Sequence, residues 1–106
     1  MYAVVRDNTF DLQKLADGAP QVADFQAAHA EQPGYVGSVV VDAGAGRQVS
    51  LTLWRSEDEA DAARRALGPV IGRSLQPMMA MPSQLVATGQ VIFNDLGRAA
   101  SPASDP

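Results

Sequence analysis

The chain has no cysteine. That absence excludes a disulfide framework, a thiol nucleophile and a thiolate metal centre, and nothing calls for an oxidising compartment. Lysine occurs once, at Lys14, and histidine once, at His29. One imidazole without thiolates does not make a transition-metal site. Aromatic residues are only 6% of the chain and include a single tryptophan, Trp54, so an aromatic-walled pocket has few side chains to draw on. Eight cationic residues face twelve acidic ones, for a formal charge of −4. That balance lacks the cations needed to neutralise phosphates, and the arginines are scattered rather than gathered into a stripe, so neither nucleic acid nor an anionic membrane is an expected partner. No apolar run approaches the roughly 20 residues of a membrane span, and the start, Met1-Tyr2-Ala3-Val4-Val5-Arg6, meets a charge too soon for a signal peptide. The expected location is the cytoplasm. A Gly-rich phosphate loop, a nucleophile elbow and a dinucleotide fingerprint are also missing, because Gly44-Ala45-Gly46 sits between two strand patterns and opens no helix. No cofactor is therefore expected.

What is there fits one core, since 106 residues leave little room for a second. Residues 2–6 are apolar and rich in β-formers and run into Asp7-Asn8, which marks a first strand. From Asp11, a possible N-cap, Leu12, Leu15, Ala19, Val22 and Phe25 follow helical spacing to about Ala30, with Gly18 and Pro20 breaking or bending the helix. Residues 35–41 and 47–54 read as strands joined through Asp42-Ala43-Gly44-Ala45-Gly46, whose glycines supply the positive φ of a tight reversal. Ser56-Glu57-Asp58-Glu59 is a capping box, and a helix follows to about Leu67. Gly68-Pro69 is expected to end it, with a second helical piece over Val70, Ile71 and Leu75. Residues 85–93 read as the last strand, and the small, polar, proline-bearing residues 97–106 as a disordered tail beyond a domain of residues 1–96.

This order, βαββαβ, predicts an α+β domain of ferredoxin-like topology: a four-stranded antiparallel sheet with its helices on one face. Apolar side chains nevertheless point to both sides of the first two strands. The uncovered face is expected to pair with a second copy, so the predicted partner is the chain itself, a homodimer through the open sheet face; the alternative is a small face simply solvated through Gly37, Ser38, Ser50 and Thr52.

Pro33-Gly34-Tyr35-Val36-Gly37, the valine-rich hairpin with Asp42-Ala43-Gly44, and Leu51-Thr52-Leu53-Trp54-Arg55-Ser56-Glu57-Asp58-Glu59 together resemble the dimeric α/β-barrel superfamily. Within it, the antibiotic-biosynthesis-monooxygenase-like branch is the nearest likeness. The resemblance implies a homodimer with a ligand pocket between sheet and helices in each subunit. Some members oxidise polycyclic phenols to quinones with molecular oxygen and without metal or flavin, others degrade haem, and many have no assigned activity. The quinone-forming members pair a strand tryptophan with an asparagine four residues earlier and an arginine late in the second helical region. Trp54 matches the tryptophan, the asparagine position holds Ser50, and Arg73 lies close to the arginine position. Asn8 matches a functional asparagine of the haem-degrading members, but their helical tryptophan and later histidine correspond to about Ala63 and Arg73.

The candidate residues follow from both readings. Trp54 could wall a pocket and donate its indole N–H, and Ser50 and Thr52 share its parity on the strand and could add hydroxyl donors. His29 falls on the apolar stripe of its helix and is the one side chain that titrates near neutrality, which suits a base for a phenol. Arg73 could hold a phenolate, and Asn8 could contact substrate. The acidic run Glu57, Asp58, Glu59 and Asp61 is explained by the favourable field at a helix N-terminus. The expected activity is a cofactor-independent monooxygenase-like oxidation of a small aromatic or phenolic metabolite. The alternative is a non-catalytic dimeric module that binds a small hydrophobic ligand or is purely structural.

Overall fold

The protein is described by a computed structural model over residues 1–97. Apart from Gly97, the expected disordered tail lies outside the described residues. Elements run β1 (Tyr2–Thr9), α1 (Leu12–Asp17), α2 (Ala19–Ala30), β2 (Tyr35–Gly44), β3 (Arg47–Trp54), α3 (Glu57–Ser74), a 3-10 turn (Gln76–Met78) and β4 (Gln84–Gln90). The four strands form one antiparallel sheet in the order β2-β3-β1-β4. This is the predicted ferredoxin-like α+β arrangement, with the first and third strands central.

The local choices have identifiable causes. Asp11 caps α1 by accepting from the Lys14 amide at 3.0 Å. The chain then bends at Gly18, where a Cβ would run into the Met78 sulfur and crowd the Lys14 carbonyl, so α1 and α2 are separate helices. The β2–β3 reversal places Gly44, Ala45 and Gly46 at φ 88°, 55° and 84°. Ala45 and Gly46 form the two-residue loop, both left-handed, as the twist of a hairpin favours. At the start of α3, Ser56 Oγ accepts from the Glu59 amide at 3.2 Å and donates to Glu59 Oε1 at 3.0 Å.

Two expectations need correction. Gly68-Pro69 does not end the helix: α3 runs unbroken from Glu57 to Ser74 with Pro69 inside it. Glycine before proline lacks the Cβ that would clash with the pyrrolidine ring, and both residues are exposed, so water can satisfy the carbonyl left without its donor. The last strand stops at Gln90 rather than Phe93 because its partner runs out. Tyr2 pairs with Gln90, and one further bond, from the Val91 amide to the Met1 carbonyl at 2.9 Å, closes the ladder. Ile92 and Phe93 then leave the sheet edge 99% and 78% exposed.

All helices lie on one face of the sheet. Tyr2 and Trp54 pack there with Ala60, Ala63 and Leu67 of α3, and Val4, Ala28, Tyr35, Val70 and Ile71 close around them. Strand alternation sends Ala3 and Val5 of β1, Val49, Leu51 and Leu53 of β3, and Val39 and Val41 of β2 to the other face. No helix covers that face, and Val39 and Val41 remain exposed. Asp7 and Arg47 lie at its far end, joined by a salt bridge of 2.7 Å that holds the Asp7 carboxyl below the usual carboxylate range. Among the described residues, no helix is long and apolar enough to cross a membrane.

Candidate functional site: an aromatic cluster under the helices

The helix-side face of the sheet is built from alternate residues. Trp54, Thr52, Ser50 and Gln48 of β3 stand opposite Tyr2, Val4, Arg6 and Asn8 of β1. Across the other edge of β3, a bulge between Tyr35 and Gly37 resets the parity of β2. The bulge places Ser38 on the same side as Tyr35, and its hydroxyl lies 3.0 Å from that of Thr52.

Trp54 is 3% exposed and lies at the centre of an aromatic cluster. The His29 ring is 5.5 Å from it at 66°, and Tyr35 is 5.7 Å from it at 83°, both edge-to-face. His29 also meets Tyr35 at 5.2 Å and stacks on Phe25 at 5.2 Å. These separations and angles are the ones that suit ring quadrupoles. The helical spacing that puts His29 four residues after Phe25 therefore turns the imidazole inward over the end of β3. Burial disfavours the charged imidazolium, and the His29 pKa is pushed below its ordinary 6.5. At neutral pH the ring is an uncharged base in an apolar setting.

The predicted site residues divide into two groups. Trp54, Thr52 and His29 come together at one end of the sheet, with Ser50 roughly 13 Å along the same strand from Trp54. Val40 and Ser38, beside Ser50 and Thr52, are exposed, so the helices leave this part of the face open. Asn8 and Arg73 are elsewhere. Asn8 pairs with Gln48, six residues or roughly 20 Å along β3 from Trp54, too far for one small ligand to touch both. Its Oδ1 is buried with no hydrogen-bond partner among the described residues. Arg73 lines a separate surface cleft with Lys14, Asp17 and Met78 that contains no member of the aromatic cluster. Sequence reasoning missed Tyr35 as a neighbour of Trp54 and Ser38 as a helix-side neighbour of Thr52. Tyr35 directly after a Pro-Gly turn was a readable signal; Ser38 was not, because only the bulge gives it this orientation. Among the described residues, no group of three or more histidine, aspartate or glutamate side chains is arranged to hold a metal ion.

No family model and no curated protein matches the sequence. Solved structures do match the fold. One, described provisionally as an antibiotic biosynthesis monooxygenase from Nitrosomonas europaea, superposes at a TM-score of 0.71 with 14% identity over 88% of this chain and all of its own. SnoaB, a cofactor-independent oxygenase from Streptomyces nogalater, superposes at 0.65 with 18% identity, covering 88% of this chain and 97% of its own. A protein of unknown function, also from Nitrosomonas europaea, superposes at 0.73 with 10% identity, covering 90% and 92%. The chain thus shares its ferredoxin-like fold with these structures, antibiotic-biosynthesis-monooxygenase-like proteins among them. Identities this low carry fold and leave chemistry to the site itself.

Proposed function

We propose that this protein is a cofactor-independent monooxygenase-like enzyme that oxidises a small aromatic, phenolic metabolite on the helix side of its sheet, beside Trp54. The observation that carries this reading is the placement of His29: an uncharged imidazole in ring contact with both Trp54 and Tyr35. In this reading His29 takes the phenol proton, and the electron-rich phenolate reacts with dioxygen. One oxygen atom enters the ring at a C–H position as the second quinone carbonyl, and the other leaves as water. The phenolic hydrogen and the displaced ring hydrogen end in that water, so the two-electron oxidations of substrate and of the ring position balance the four electrons taken by dioxygen. Aromatic edges and faces hold the substrate ring, and the Ser38–Thr52 hydroxyl pair and Ser50 offer donors toward its oxygens. The likeness to SnoaB, whose description is that of a cofactor-independent oxygenase, supports the same class.

The active unit in this proposal is a homodimer formed through the open sheet face. Support comes from the apolar residues Val5, Val39, Val41, Val49 and Leu51 on that face. Strands of seven to ten residues give it roughly 450 Å² in flat projection, comparable to the largest patch of a typical monomer, which is often functional.

One observation favours a second reading, a non-catalytic module that binds a hydrophobic ligand or serves assembly alone. Trp54 is closed in by Tyr2, Ala60, Ala63 and Leu67, so an occupant must enter from the Ser38 and Val40 side and displace packed rings. The deciding experiment incubates the protein with polycyclic phenols under air and under argon, following quinone absorbance for wild type and Trp54→Phe. Oxygen-dependent quinone formation that falls at least about tenfold in the variant supports the enzyme. Saturable binding without turnover selects the module.

A further inference from the structure

A cleft of about 290 Å³ lies where the α1–α2 bend meets the end of α3 and the 3-10 turn. Its floor is apolar, from Pro77 and Met78. Its rim is cationic on two sides: Lys14, the only lysine of the chain, comes from α1, and Arg73 from the last turn of α3. On a chain of net charge −4, two of eight cations converging on one cleft is a local reversal of sign. Neither is spent on a carboxylate, since the one ion pair among the described residues joins Arg47 to Asp7. Asp17 lies in the same cleft, but its carboxylate accepts from the Gln13 amide at 3.3 Å, and the side-chain charges still sum to one positive.

Two further groups face the same space. Gly18 is the N-cap of the twelve-residue α2 and offers no side-chain cap; Pro20 in the first turn has no N–H, so Gln21 supplies the first-turn amide that lines the cleft. Gly18 and Gln21 both line the cleft. Ser74, 8% exposed, lines it as well. A serine hydroxyl at the edge of a cationic cleft can donate to an acceptor bound there. The close fit of Gly18 against Met78 fixes the bend that brings these groups from three elements to one place.

We propose that this cleft binds a small oxyanion, a carboxylate or a phosphate group, held by Lys14, Arg73, the Ser74 hydroxyl and the Gln21 amide of α2, with a short aliphatic portion lying on Pro77 and Met78. The site is separate from the aromatic cluster, and it stands whether or not oxidation occurs there.

Amide chemical shifts of the full chain, followed during titration with sodium phosphate, sodium butyrate or sodium chloride at matched ionic strength, test this directly. Saturable shifts at Gly18, Gln21 and Ser74 with phosphate or butyrate, absent with chloride, are expected. Response to phosphate alone or butyrate alone identifies the group bound. Arg73→Gln and Lys14→Gln, both exposed positions where folding is undisturbed, should each weaken binding about tenfold or more. Linear shifts shared with chloride, or affinities unchanged in both variants, would overturn the assignment.

Discussion

At the scale of single residues, His29 is the group whose surroundings most change its chemistry. Its pKa is lowered in the folded protein by desolvation, relative to 6.5 for the free group. The unfolded chain therefore holds more protons than the native one at mildly acidic pH, and stability must rise with pH through that range. The stabilisation is fully present above the unfolded value and is lost as pH falls through it toward the folded value. Urea unfolding at about pH 5 and about pH 8 should show this loss in wild type and not in His29→Gln. A pH slope unaltered by the substitution would place the titration elsewhere. Trp54 is the counterpart on the strand. Its parity with Thr52 and Ser50 was readable from sequence, whereas the particular side chains that close around it depend on how α2 and α3 pack over the sheet. Asn8 and Arg73 show the opposite limit. Each resembled a functional residue by position in the chain, and register and helix geometry carried both away from Trp54.

At the scale of elements, the patterns with a local physical cause were the legible ones. The hairpin follows from glycines at positive φ, α3 begins where the Ser56 hydroxyl accepts from the Glu59 amide and donates to the Glu59 carboxylate, and the α1–α2 bend falls at Gly18. Ser56→Ala should cost about 1 kcal/mol, seen as a lower urea midpoint with unchanged slope. Ala45 is the one non-glycine residue at positive φ among the described residues. A left-handed alanine is strained, so Ala45→Gly or Ala45→Asn should stabilise the protein by about 0.5–1 kcal/mol. No gain in thermal midpoint from either would contradict the turn geometry. The continuation of α3 through Pro69 and the early end of β4 escaped sequence reasoning for non-local reasons. The first rests on solvent access and on a glycine that happens to precede the proline, the second on where β1 begins.

At the scale of the molecule, a single sheet with helices on one side leaves its other side to be covered. That side's apolar character was visible in the apolar residues on both sides of strands 2–6 and 35–41, but the Asp7–Arg47 pair at its far end was not, being set by diagonal register across two strands. If a second copy covers the face, Val39→Asp should shift sedimentation equilibrium from dimer to monomer, since a carboxylate buried between two sheets without a partner costs several kcal/mol. An unshifted dimer would move the interface to another surface. Catalysis at the aromatic cluster is the larger claim, and oxygen consumption measures it without assuming a product spectrum. An oxygen electrode, read during turnover of a polycyclic phenol, should record one dioxygen consumed per quinone formed by wild type. The rate should fall about 10²-fold or more in His29→Gln, the loss expected when a general base is removed. Uptake that is equal in wild type and His29→Gln, or no uptake with any phenol that binds, would contradict the account.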